Sequence, residues 1–535
     1  MVNKGLKREM TRLDLLMASL GGIIGSGWLF GALFASNVAG PSSIISWVIG
    51  GVAVLLIGLV FAELGAMLPE AGGIARYPQY SHGSFTSFIM GWGAWIAYAS
   101  VPAIEAEAVV QYASHYVPSI YNPATGLIQG PGLVLAAALM LIFFLLNYFG
   151  VKLFAKTNTV VTTIKFIMPT LTIITFLIAG VHWSNLTSHG FATGGVSGML
   201  QAVATSGIVF AYLGFRQAID LAGESKNPQK DLPFAVIGSI LIGAVLYVLL
   251  ELVFVTGVAP AALAQGWSHL TFSAPVAEVA TSLNLGWMAV LLYADAVISP
   301  AGTGNIYIAS TTRVLLALAG NRYFPKALLK VDEKTGIPHI ALWVAFILGL
   351  IFLLPFPAWQ QLVGLVSSAT VFTYMIGPVS AAALRRTHPD AKRPYKVGGL
   401  GIIAPIAFIV ASLIIYWTGW KTDWKLLVAL LVGVVLYLLA SAIFPKEIER
   451  PSARSVKSGT WLVVYLVVML FMSYAGSARF GAAANGGKGL IHYPLDLIVI
   501  IVLSLIFYYW GASSGTHSAD TDEALQAIAI EAGDD

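Results

Sequence analysis

An all-α protein that crosses a membrane many times is the fold class this chain predicts, on three observations. The 535 residues are 58% hydrophobic and only 10% charged, with a mean hydropathy of +0.82. A soluble core cannot bury that much apolar surface, whereas a lipid-facing bundle can. Apolar runs of about 18 or more residues, each long enough to cross the hydrocarbon, recur fourteen times. Two of these runs are interrupted by glycine, and charged residues sit inside several others.

In chain order the spans are read at 14–36, 42–68, 84–113, 131–149, 157–181, 198–222, 234–257, 286–318, 339–355, 359–384, 401–418, 426–444, 460–476 and 493–511. Gly and Pro inside them are no objection, since both are common in membrane helices. In the first span, Gly21-Gly22-Ile23-Ile24-Gly25-Ser26-Gly27 puts four glycines within seven residues. In the sixth, Ser206-Gly207 is followed by Phe210-Ala211-Tyr212-Leu213-Gly214. Glycine lowers helix stability by roughly 1 kcal/mol against alanine, so such clusters favour unwinding. Unwound backbone at membrane depth survives only against protein or a water-filled cavity. Glycine-interrupted spans at matching positions of two halves point to a transporter's binding site. The breaks lie five helices apart. That spacing suggests a ten-helix core over 14–384, made of two repeats at 14–181 and 198–384, with four accessory helices over 401–511. The flanks are an N-terminus at 1–13 and a tail at 512–535 with a short apolar stretch, Ala524–Ile530. For Gly21 and Gly25, close packing of the small-xxx-small kind is the alternative to unwinding. Consecutive Gly25-Ser26-Gly27 do not share a face, which packing does not explain.

Charge sets the orientation. Of 29 Lys and Arg, only Lys421, Lys425, Arg479 and Lys488 fall on one side, and Lys165 and Arg216 lie within spans. All the rest, including Lys4, Lys7, Arg8 and Arg12 at the N-terminus, fall in or beside the segments on the other side. The positive-inside rule makes that side cytoplasmic and puts both termini there. The net charge of +4 is thus an orientation signal, and no basic soluble domain supports a nucleic-acid partner. No cleavable signal peptide is expected, since the first apolar run continues into a multi-span chain. With no Cys, disulfides and thiolate metal sites are excluded. The nine His show no local metal-ligand spacing, and no hydrolase signature stands out, so neither a metal site nor an enzyme is expected.

Four stretches carry a family resemblance. They are Gly22-Ile23-Ile24-Gly25-Ser26-Gly27-Trp28-Leu29-Phe30; Glu63-Leu64 with Pro69-Glu70-Ala71-Gly72-Gly73, Tyr77 and Gly91-Trp92; Gly214-Phe215 with Glu224-Ser225-Lys226-Asn227-Pro228 and Pro233; and Arg313 with Asn321-Arg322-Tyr323-Phe324-Pro325 and Gly336-Ile337-Pro338. In this order the chain resembles the amino acid–polyamine–organocation (APC) superfamily of permeases, and within it bacterial aspartate/proton symporters. The resemblance implies the leucine-transporter-type 5+5 inverted repeat, with helices one and six broken and substrate held between them. Physics points to the same place. Free N–H groups at a half-helix N-terminus, backed by the helix dipole, bind a carboxylate. Free carbonyls at an opposing helix end accept from an ammonium. The carboxylate is assigned to the amides of Gly25, Ser26 and Gly27, and the ammonium to carbonyls near Ile23, Ile24, Phe210 and Ala211, with Gly214 at the break.

A charge at bilayer depth costs roughly 2.5–3.5 kcal/mol or more, so Glu105, Glu107, Lys165, Arg216, Glu251 and Asp295 each require a reason. The resemblance implies a coupling role for Lys165, because proton-coupled relatives carry a lysine at this helix-five position; snorkelling to the inner interface is the alternative. Arg216 departs from the family pattern. Its fork suits an acidic side chain of a substrate, and an i+4 pair with Asp220 is the competing reading. Glu105 and Glu107 lie on opposite sides of their helix, so at most one is expected inward. Asp295, Ser299 and Thr303 form a polar stripe, read as packing or water-lining, and Glu105 and Asp295 are candidate proton carriers. Glu251 is read as interfacial or packing. The expectation is a multi-pass cell-membrane transporter for an acidic amino acid. It would be driven by the proton gradient without a cofactor, with amino acid, protons and the bilayer as partners. An exchanger, a neutral amino acid symporter and a non-transporting amino acid sensor are the alternatives.

Overall fold

The computed structural model describes residue 8 and residues 10–533 apart from 124, 150, 333, 355–357 and 481–486. Lys4 and Lys7 lie outside the described residues. Apart from one short hairpin, in which 121–122 pairs with 127–128, the secondary structure described is helical.

α1 (Arg12–Ile23) opens on a capping box, in which the Thr11 side chain and the Asp14 carboxylate each accept the other's backbone N–H. It stops at Ile23, and α2 (Gly27–Ala39) resumes after a three-residue gap. There follow α3 (Ser43–Met67), α4 (Gly73–His82), α5 (Ser84–Ala113), α6 (Gly130–Tyr148) and α7 (Val151–Ala179). α8 (Gly195–Thr205) ends at Ser206-Gly207, where Gly207 takes φ +88°, a conformation that strains any side-chain-bearing residue. The chain continues as α9 (Ile208–Tyr212), a 3₁₀ turn at Leu213–Arg216 and α10 (Gln217–Asp220), bent 46° from α8. α11 (Pro228–Gly257), α12 (Pro275–Ser282), α13 (Gly286–Gly320), α14 (His339–Leu353), α15 (Trp359–Tyr374) and α16 (Ile376–Thr387) follow. Then come α17 (Leu400–Thr418), α18 (Trp420–Ile443), α19 (Ala453–Ala475), α20 (Leu495–Ser514) and α21 (Ala519–Gly533).

Among the described residues, ten helices are long and apolar enough to cross a membrane, or eleven if α8 to α10 count as one span. That is fewer than the fourteen expected, for three physical reasons. α2 and α3 form one apolar stretch of 41 residues, although a 3₁₀ turn at Gly40–Ser42 divides it. At about 1.5 Å per residue it is roughly 60 Å long, twice the hydrocarbon thickness. α14 is only 15 residues long. α13 is long enough, but Asp295, Ser299 and Thr303 dilute its apolarity.

Exposed side chains such as Val428, Leu431, Val432, Val435 and Leu439 on α18 are what a lipid-facing surface requires. α5, by contrast, is buried nearly all round. It forms the centre against which α13, α15 and the break between α1 and α2 pack. Among the ties of the accessory helices to this centre is one carboxylate. Asp423 of α18 accepts from Thr418 (2.8 Å) of α17, Ser368 (3.2 Å) of α15 and Ser473 (2.7 Å) of α19. Residues that carried the resemblance form ion pairs at helix ends: Glu63 with Arg385 (2.6 Å), Glu70 with Arg76 (2.7 Å) and Glu224 with Arg313 (2.9 Å).

Candidate functional site

The backbone at the end of α1 turns tightly. Ile24 N–H still bonds back to Leu20 O (2.8 Å), but Gly25 N–H turns in to Ile23 O (3.0 Å). Helical continuity is lost there, and Ser26 N–H points sideways into the carboxylate of Glu105, 2.8 Å away. Gly25 has no room for a side chain, since a Cβ would meet a Glu105 oxygen and Thr303 Oγ1, each at 2.8 Å. The glycines of this segment therefore serve both readings. The helix is interrupted, and Gly22 and Gly27 also let it press on the other broken span. A Cβ on Gly27 would lie 3.0 Å from Ala211 Cβ, and one on Gly214 would lie 2.1 Å from both Gly22 C and Ile23 N.

Lys165 of α7 is fully buried, which removes the snorkelling alternative. Its ammonium donates to Gly21 O and to Thr303 Oγ1, the latter at 2.6 Å. Thr303 in turn donates to Gly21 O (3.0 Å) and lies 3.3 Å from Ile24 O. The Lys165 amine thus holds the last turn of α1 against α7 and α13. Thr303, read from the sequence as part of a packing stripe, belongs to the site. Asp295, two turns away on α13 and so about 12 Å along its axis, takes only Ser299 (2.8 Å).

Arg216 is buried beside the Gly214 turn. Its guanidinium carbon sits 3.4 Å from the centroid of the Tyr98 ring and 5.2 Å from that of Tyr374, a cation–π arrangement. Among the described residues its Nε and Nη1 find no hydrogen-bond acceptor. The competing reading, a direct pair with Asp220, is not formed among the described residues. Tyr98 intervenes, offering its ring to Arg216 and its hydroxyl to Asp220. Over the break, Trp359 of α15 donates its indole N–H to Ser26 Oγ (2.8 Å) and lies against Phe34, Phe30 and Phe210.

The structure thus brings Ile24, Gly25, Ser26, Gly27, Glu105, Lys165 and Thr303 together, with Phe210 and Ala211 facing them across the break. It corrects three expectations. The Ser26 amide is not free, because Glu105 occupies it. Ile23 O has no capacity left for an ammonium, since Gly25 N–H and the Tyr247 hydroxyl (2.8 Å) take both its lone pairs. Glu105 and Glu107 are both buried, because α5 has core on every side; the two oxygens of Glu107 have no hydrogen-bond partner. Glu251, read as interfacial or packing, is a packing residue, accepting from Ser43 and from Trp47 Nε1 (2.8 Å). Sequence reasoning missed Tyr98, Tyr247 and Trp359, because a lone aromatic inside an apolar span reads as packing.

A family model described as amino acid permease matches residues 10–471. The chain is 45% identical over 516 residues to the glutamate/serine transporter AimA of Bacillus subtilis (strain 168), covering 95% of this chain and 94% of that one. It is 40% identical over 518 residues to the aspartate-proton symporter of the same organism, covering 96% and 98%. It is 29% identical over 453 residues to the branched-chain amino acid permease BcaP, also of Bacillus subtilis, covering 82% and 94%.

Proposed function

The chain belongs to the amino acid permease family, and on that premise we propose that it carries an acidic amino acid, aspartate or glutamate, across the cell membrane together with protons. The buried guanidinium of Arg216, whose Nε and Nη1 have no acceptor among the described residues, carries the assignment of an acidic substrate. A cation held under two aromatic rings, with two of its nitrogens lacking an acceptor among the described residues, can take a further acceptor, and a side-chain carboxylate matches its fork. The names of the relatives at 45% and 40% identity, which refer to glutamate, serine, aspartate and proton symport, support the same class.

The substrate's α-carboxylate would take the amides of Ser26 and Gly27, and its ammonium the carbonyls near Ile24, Phe210 and Ala211. Only one carboxylate can hold the Ser26 amide at a time. Glu105 holds it here, and a protonated carboxyl accepts far more weakly than a carboxylate. Protonation of Glu105 would thus open the place the substrate needs. Lys165 works from the other side: its charged amine pins the end of α1 to Thr303, and loss of its proton would weaken that hold and free α1 to move. Alternating access would follow by rocking of one helix bundle about this site, within a fold of two inverted five-helix repeats. The distribution of Lys and Arg supports a cytoplasmic position for both termini.

Uptake of labelled aspartate, glutamate, serine and leucine into proteoliposomes, under imposed proton or sodium gradients, tests this. Aspartate or glutamate should accumulate with an inward proton gradient and not with a sodium gradient alone. Accumulation of leucine in preference to both would overturn the substrate class. Lys165→Ala should leave binding measurable but make uptake insensitive to the proton gradient. An unchanged response to that gradient would move coupling to Glu105 or Asp295.

A further inference from the structure

Three donor groups far apart in sequence meet beyond the end of α16. His388 Nε2 and His517 Nε2 lie 3.3 Å and 3.5 Å from the same carboxylate oxygen, Asp522 Oδ1. All three donor atoms lie within 4.8 Å of one another. A tetrahedral ion with bonds of about 2.0–2.1 Å has ligand–ligand edges of about 3.3–3.5 Å. No short motif signals this set, because positions 388 and 517 come from opposite ends of the last four membrane helices.

The hydrogen bonds around His388 fix which of its nitrogens is available. Thr387 donates its one hydroxyl proton to Ala383 O (3.0 Å). Its oxygen must therefore accept at the 2.9 Å contact with His388 Nδ1, which places the ring proton on Nδ1. In the neutral ring Nε2 then carries the lone pair; it makes no hydrogen bond among the described residues, although the residue is only 7% exposed. That lone pair faces the oxygen of Asp522. The 3.3 Å approach of nitrogen and carboxylate oxygen calls for a positive centre between them, either a second ring proton or a metal ion. A ring oriented through its other nitrogen is the usual setting of a metal-ligating histidine. His517 stacks on His388, with ring centroids 4.4 Å apart and planes 18° from parallel, and it is exposed enough to turn into the position a ligand needs.

We propose that His388, His517 and Asp522 form a binding site for a divalent transition-metal ion of the zinc type, with water as the fourth ligand. Two imidazoles and a carboxylate suit zinc far better than magnesium or calcium, which take oxygen. The ion fastens the start of α21 to the end of α16. The same segment already rests on α4, where Thr516 N–H donates to Ser81 O (2.8 Å) and Thr521 Oγ1 to Tyr80 O (2.9 Å). Metal binding therefore locks the tail onto two helices of the core.

The test uses full-length, tag-free protein in detergent, stripped of metal and titrated calorimetrically with zinc chloride, with magnesium chloride as the comparison. One zinc ion per chain should bind, and magnesium should not. His517→Ala and Asp522→Asn, both at exposed positions, should weaken zinc binding by at least ~100-fold. Thr387→Val, which frees the His388 ring, should weaken it by about 10–100-fold. His269→Ala, in a distant loop, should leave it unchanged. Protease cleavage within 515–533 should slow when zinc is present, in the wild type only. Absence of zinc binding by the wild type, or equal affinity and stoichiometry in His517→Ala and Asp522→Asn, would overturn the site.

Discussion

Aspartate uptake should fall at least ~100-fold in an Arg216→Ala variant that still inserts and purifies as a folded protein. Truncating one partner of a buried, hydrogen-bonded charge pair costs about 2–5 kcal/mol, and each 1.4 kcal/mol is about tenfold in affinity. The loss should appear in the apparent affinity for aspartate and glutamate and be small for serine, which brings no side-chain charge. Arg216→Lys separates charge from shape. Lysine keeps the cation but not the two-pronged donor or the flat stacking surface over Tyr98, so it should recover only part of the affinity. A folded Arg216→Ala protein that takes up aspartate with unchanged affinity would remove this residue from the site.

Gly214→Ala should abolish transport by a different route. The added methyl would lie 2.1 Å from Gly22 C and Ile23 N. Both are backbone atoms that cannot rotate aside, so the two interrupted spans would be forced apart. Overpacking of a well-packed core typically costs about 1–3 kcal/mol, occasionally more, and here it falls on the walls of the candidate site. A lowered melting temperature in detergent together with lost uptake is the expected pair of results. Gly364→Ala is the control, because nothing lies within 4 Å of its would-be Cβ, and it should melt and transport as the wild type does. Normal uptake by Gly214→Ala would mean that the two spans need not touch at this point.

The all-helical membrane class follows from composition and run length, which depend on local sequence alone. The place where α1 gives way to α2 is marked by Gly25-Ser26-Gly27, because glycine acts through its own backbone. What the buried charges touch was not legible, since each answer depends on a side chain from another helix. Lys165 meets Gly21 and Thr303 across 144 and 138 positions of chain, and Arg216 is separated from Asp220 by a tyrosine more than a hundred residues earlier. The i+4 rule correctly marks Arg216 and Asp220 as neighbours, but it assumes an unbroken helix. The 3₁₀ turn at Leu213–Arg216 violates that assumption. α13 shows the converse: its polar stripe makes the helix look less like a membrane segment, although its length marks 286–318 as a span in the sequence.

Asp423 bears on how far this chain can be shortened. Its carboxylate gathers three hydroxyls from α15, α17 and α19, so the helices after residue 400 are not a detachable appendage. A trimmed version ending near that residue would leave Ser368 on α15 without its acceptor, on the same helix whose Trp359 closes over Ser26. Engineers seeking a minimal carrier would have to redesign the outer surface of α15 before deleting anything behind it.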